Sequence, residues 1–176
     1  GLLAITPFLI GMAGATNVQA IQVGGPSGTL VGPDEFGKTL SFAEYATGGS
    51  MIIISNERNL LKDVVMNFMD FFIEESCGSC STCRILPNVL KQKLLKILNA
   101  RGVAQDIEDM LEWSKYLKAS RCGLGQTAAN PIVSSIKNFR HLYESKIQTQ
   151  KEYDTGFDLT QAVKEACDVT GRAPNI

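Results

Sequence analysis

Three cysteines stand at a strict three-residue interval, Cys77, Cys80 and Cys83, in the stretch EESCGSCSTCR. Thiolates spaced C-x2-C-x2-C gather round one point within a single tight turn of backbone, the geometry that an iron–sulfur cluster takes from one segment. Such a cluster has four ligands, so the fold must carry a fourth donor to the same point. Two more cysteines are available. Cys122 lies in SRCGLGQT, where Gly123 and Gly125 let backbone come close to a cofactor and aim amides at its sulfurs. Cys167 lies in the polar stretch KEACDVT. Cys122 is therefore the expected fourth ligand, against the plainer reading of a small apolar core thiol.

Other uses of the cysteines fit less well. Neighbours this close would close very small disulfide rings, and the total of five is odd. Zinc is the rival. Structural zinc sites usually pair two C-x2-C knuckles, or one knuckle with a histidine pair, and here the single histidine, His141, sits among Arg140, Tyr143 and Glu144 on a helix. It reads as a solvated surface residue.

The rest of the chain sets the frame for these residues. With 176 residues and 44% hydrophobic content there is enough apolar material for one domain, or two small ones sharing a boundary. Lys and Arg number 17 against 18 Asp and Glu, with no basic block, so nucleic acid is not an expected partner. Residues 1 to 33 carry no charge and open with GLLAITPFLIGMAGA. The run lacks the positive start of a secretory signal, and Pro7, Gly11 and Gly14 break it short of a membrane span. It reads as buried domain sequence of a cytoplasmic protein, at most peripheral to a membrane complex.

Ten of the 16 glycines fall in residues 1 to 49, between short apolar runs such as VQAIQV (18–23) and SMIIIS (50–55). Such runs with Gly/Pro punctuation read as strands and turns. VGGPSG lacks the Lys-Ser/Thr ending of a phosphate loop, so it reads as a turn between strands. From about Asn59 the period becomes helical. Leu60, Leu61, Val64, Val65, Phe68, Phe71 and Phe72 share one face, and Leu90, Leu94, Ile97 and Leu98 another. A third helix runs through Ile107, Met110, Leu111, Ser114 and Leu117, flanked by Trp113, and a fourth opens at Asn130-Pro131 and continues to Ile147. Gly102 is expected to end the second helix. The fold class is thus α+β: a β-rich unit over 1–58, a four-helix bundle over 59–149, and a surface tail over 150–176. In an up-down bundle the loops after the first and third helices lie at one end, which brings Cys122 to the cysteine triplet.

ESCGSCSTCR followed by SRCGLGQTAANP, with 38 residues between Cys83 and Cys122, resembles the C-terminal iron–sulfur region of the flavoprotein subunit of NADH:quinone oxidoreductase (complex I) and of the diaphorase subunit of NAD-reducing hydrogenases. VQAIQVGGPSGTLV resembles the small soluble-ligand-binding (SLBB-type) β-grasp domain that precedes the bundle in that family. The resemblance implies a 4Fe-4S cluster on Cys77, Cys80, Cys83 and Cys122, with zinc as a possible substitute on the same sulfurs. It also implies electrons arriving from flavin mononucleotide (FMN) and leaving towards a neighbouring iron–sulfur subunit. The family's FMN and NAD(H) domain has no counterpart segment here, so the chain is expected to be a C-terminal piece of a longer subunit and inactive with NADH alone. Arg84 is expected either to offset the negative charge of the cluster or to pair with Glu74 or Glu75. Two positions depart from the family pattern: Thr82 replaces a proline, and ILP follows Arg84.

Overall fold

A computed structural model describes residues 3–5, 14–41, 43–45, 48–149 and 159–171. The expected β-rich and helical parts are both present. Five strands of the described residues, β1 (Leu3–Ala4), β2 (Val18–Val23), β3 (Thr29–Val31), β4 (Thr39–Leu40) and β5 (Met51–Ser55), form two antiparallel sheets. β1 pairs with β4, and β2 lies between β3 and β5, with Ile21 facing Val31 on one side and Ile53 on the other. The VGGPSG turn joins β2 to β3, with Gly24 and Gly25 at φ 87° and 68°, values at which a side chain is strained.

β2 is buried on both faces because the two-residue period of a strand sends alternate side chains to different cores. Ile21, Val23 and Val31 pack with Ile5 and Tyr45 in a small cluster. Ala20, Leu30 and Ile54 point the other way, into the main core with Leu61, Met69, Leu94, Ile107, Ile132 and Tyr143 of the helical part. The two units therefore share one interior.

The helical part follows. A π-helical segment, Leu60–Val65, capped by Asn59 Oδ1 accepting from the Lys62 N–H at 3.0 Å, runs into α1 (Met66–Glu74). Then come α2 (Ser81–Leu98), α3 (Ala104–Ser114) with a 3-10 turn at Lys115–Ala119, α4 (Gly123–Thr127), α5 (Asn130–Glu144) and α6 (Leu159–Thr170). α1 packs on α2, α2 on α3, and α3 on α5. Asp106, buried at the start of α3, accepts from the Val103 N–H and from Lys93 and Lys96 of α2. Burial works against its charge, but these donors outweigh it and hold the carboxyl below its ordinary range. No helix of the described residues is long and apolar enough to cross a membrane.

Three local expectations change. Gly102 does not end α2: Ala100 takes the left-handed conformation at φ 57°. Gly102 instead lies against Ile97, whose Cγ1 would be 2.4 Å from an added Cβ. Asn130 is the first residue of α5 rather than its cap, and its amide donates to the Ser27 carbonyl at 2.6 Å. The segment expected as a polar tail contains α6, which carries Cys167.

α5 also closes the edge of the three-stranded sheet. Ser134 Oγ accepts from the Leu30 N–H at 3.1 Å, and the Asn138 amide donates to the Leu30 carbonyl at 2.7 Å. A strand edge with bare amides invites pairing with another chain, and here two polar side chains of a helix satisfy both groups of its central residue.

Candidate metal centre

The connection between α1 and α2 carries the cysteine triplet. Gly78, at φ 71°, turns the backbone between Cys77 and Cys80. Cys80 is the residue at which α2 begins, with its carbonyl accepting from the Arg84 N–H at 2.9 Å. Cys83 lies in the first turn and is buried, Cys80 is half-buried, and Cys77 is exposed. Pro87, inside α2, has no N–H to give to the Cys83 carbonyl four residues earlier, so that carbonyl lacks its usual i+4 donor.

Cys122 reaches the triplet from the other side. It stands at the start of the short helix α4, after the 3-10 turn that ends α3. Cys77, Cys80, Cys83 and Cys122 line one cavity of about 140 Å³, together with Glu75, Ser76, Ser79 and Leu124. Cys167 is not among the residues lining it.

Thr82–Ser120 and Arg121–Cys80 join the two segments, and further contacts brace each of them. Thr82 Oγ1 and Ser120 Oγ share a hydrogen bond of 3.1 Å, the Arg121 N–H donates to Cys80 Sγ at 3.4 Å, and Ser76 Oγ lies 3.4 Å from Cys83 Sγ. The Gln126 amide holds the Ser120 carbonyl at 2.9 Å. Serines beside the cysteines signalled this only weakly, since short hydroxyl side chains are equally common in turns. Thr82 makes a bond that proline in its place could not.

The two glycines of the fourth-ligand segment differ. Gly125 is buried, and a Cβ there would meet Ser120 Cβ at 2.5 Å, Ser120 Oγ at 2.7 Å and Cys83 Cβ at 3.2 Å. Gly123 is exposed with nothing within 4 Å of an added Cβ. Only Gly125 is required by close approach. Arg84 does not pair with Glu74 or Glu75 in any ion pair of the described residues; its Nη1 donates to the Gly78 carbonyl at 3.0 Å and so braces the cysteine turn. His141 is exposed on α5, and Trp113 lies under Lys93 Nζ at 4.6 Å from the ring centre, a packing contact.

The donor set suits an inorganic cluster. Four thiols line one cavity, with the Arg121 N–H donating to Cys80 Sγ and the Ser76 hydroxyl 3.4 Å from Cys83 Sγ, contacts of the kind that tune a thiolate-held metal group.

Comparison with known proteins agrees. Residues 63–146 match the model of the NADH-ubiquinone oxidoreductase-F iron–sulfur binding region. These residues belong to that family. The chain is 33% identical over 158 residues to the NAD-reducing hydrogenase HoxS subunit alpha of Cupriavidus necator, covering 88% of this chain and 26% of that protein. It is 30% identical to the NADP-reducing hydrogenase subunit HndC of Solidesulfovibrio fructosivorans, over 76% of this chain and 28% of that one. It is 31% identical to the F-type subunit of the NADH-quinone oxidoreductase of Mycobacterium bovis, over 71% and 29%. A crystal structure of an NAD+-reducing NiFe-hydrogenase in the H2-reduced state superposes with a TM-score of 0.79 at 27% identity, over 99% of this chain and 31% of that one. The chain thus spans between a quarter and a third of the length of the proteins it matches.

Proposed function

We propose that this chain is the electron-transfer portion of an NADH dehydrogenase or diaphorase-type subunit, with Cys77, Cys80, Cys83 and Cys122 holding a 4Fe-4S cluster. The observation that carries the reading is the shared cavity of the four thiols, reached by Cys122 because Gly125 lets its helix pack against Ser120 and Cys83 where no side chain fits. When bound, the cluster supplies a one-electron station between FMN and further iron–sulfur centres, in either direction for NAD-reducing complexes. The chain's own residues do the rest. Cys83 anchors the cluster against the core, the Arg121 N–H and Ser76 direct hydrogen bonds at the sulfurs, and Arg84 keeps the turn in shape. On this reading residues 1–58 are an SLBB-type β-grasp unit and 59–149 the cluster-binding bundle. The parent chain's NADH/FMN domain and a neighbouring iron–sulfur subunit are the partners.

Iron, acid-labile sulfide and zinc content after anaerobic purification test it, with visible spectra before and after dithionite. About four irons and four sulfides per chain, with colour that bleaches on reduction, support the reading. One zinc without sulfide, persisting after anaerobic reconstitution, would replace it with a structural zinc module.

A further inference from the structure

Ser76 is the residue just before the cysteine triplet, half-buried in the connection between α1 and α2. Its hydroxyl oxygen has two polar neighbours of different kind. The Gly78 N–H donates to it at 3.3 Å, and Cys83 Sγ lies 3.4 Å away. A hydroxyl offers one hydrogen and two lone pairs, and the Gly78 N–H takes up a lone pair. Cys83 as a cluster ligand is a thiolate and has no proton to give. The hydroxyl hydrogen is therefore left for the sulfur, so Ser76 donates and Cys83 accepts.

The surroundings of Cys83 strengthen this bond. Cys83 is the buried member of the triplet, 7% exposed, whereas Cys77 is exposed and Cys80 half-buried. A hydrogen bond shut away from water is electrostatically stronger than one in contact with it. The turn also holds the hydroxyl in place. Arg84 Nη1 donates to the Gly78 carbonyl at 3.0 Å, and the glycine so fixed presents its N–H to Ser76 Oγ.

We propose that Ser76 raises the reduction potential of the cluster by donating its hydroxyl hydrogen to Cys83 Sγ. The inference rests on the electron-transfer reading above. Uptake of one electron makes the cluster one unit more negative, and part of that charge falls on the ligating sulfurs. A donor aimed at one of those sulfurs stabilises the reduced form more than the oxidised one. The hydroxyl keeps its proton throughout, and no bond to the metal group is made or broken.

The test is an anaerobic redox titration of the reconstituted chain, followed by electron paramagnetic resonance of the reduced cluster, with iron and sulfide measured on each preparation. In Ser76→Ala the ratio of reduced to oxidised cluster at a fixed potential should fall by a factor of about three to ten, which is about 30–60 mV at about 59 mV per factor of ten for one electron. Ser76→Thr and Ser76→Val have the same shape and differ in the hydroxyl. The first should keep the native potential, and the second should match Ser76→Ala. Ser81→Ala, which removes an exposed hydroxyl beside Cys80, should change nothing. Transfer to D2O should shift the iron–thiolate stretching bands of the native chain more than those of Ser76→Ala, an effect that repacking alone does not produce. Equal potentials for Ser76→Thr and Ser76→Val at full iron content would overturn the proposal. So would loss of iron from both Ser76→Ala and Ser76→Val, since the hydroxyl would then brace the turn rather than tune the cluster. A native chain without sulfide sinks the electron-transfer reading itself, whereas a full cluster with equal potentials sinks the role of Ser76 alone.

Discussion

Replacing Gly125 with Ala tests how the fourth cysteine is held. The new Cβ would lie 2.5 Å from Ser120 Cβ and 3.2 Å from Cys83 Cβ. Carbon atoms rest at about 3.5–4.0 Å, so α4 and the Ser120 turn must separate by roughly 1 Å. Ser120 has little room to yield, being 3% exposed and bonded to Thr82. Overpacking of this kind costs about 1–3 kcal/mol, set against up to about 1 kcal/mol of helix propensity gained on leaving glycine. The net expectation is a loss of about 1–2 kcal/mol. Because the displaced helix begins at Cys122, iron bound after anaerobic reconstitution should fall as well. Gly123→Ala gains propensity without a clash and should be neutral or slightly stabilising, with full iron. Urea unfolding of the metal-free variants gives the first quantity and iron per chain the second. If Gly125→Ala proves as stable as Gly123→Ala and keeps its iron, close approach is not what positions Cys122.

Further outcomes follow from the same contacts. Cys122→Ala should abolish stable cluster incorporation while Cys167→Ala leaves iron content unaltered; equal iron in the two would refute the ligand assignment. Removing the metal should raise hydrogen exchange chiefly in residues 76–84 and 120–127, because the main core is built from apolar side chains away from the cysteines; uniform loss of protection would show that the metal organises the whole helical part. Glu35 is subject to burial, which opposes its charge, but hydrogen bonds from Lys38, Tyr45 and Lys137 outweigh it and bring its carboxyl from 4.5 down to about 2. Between those values the unfolded chain binds more protons than the folded one, so this stabilisation is complete above about pH 4.5 and is lost as pH falls towards 2. Thermal melts of the native chain and Glu35→Gln should therefore differ most above pH 5, on the order of 2 kcal/mol, and converge near pH 2; a constant gap would contradict it.

The sequence by itself determined the parts whose causes are local. The switch from strand to helical period near Asn59 follows from side-chain spacing along the chain, and both halves fold as that spacing requires. The C-x2-C-x2-C triplet is set by backbone reach alone. That Cys122 comes to the triplet was also legible, since a cysteine just ahead of Gly123 and Gly125, on the loop expected at the same end of the helices, carries both a chemical and a topological signal. Tertiary structure decided the rest. Two glycines two residues apart look alike in sequence, yet only Gly125 meets Ser120 and Cys83, because a missing side chain acquires meaning from what packs against it. Ala100 rather than Gly102 takes the left-handed turn after α2, since Gly102 is needed against Ile97. Most of all, the β unit and the helices, which read as neighbours, share one core and a helix-capped strand edge through Leu30, Ser134 and Asn138. That junction joins residues more than a hundred positions apart, and no local pattern records a contact that exists only once both surfaces have formed.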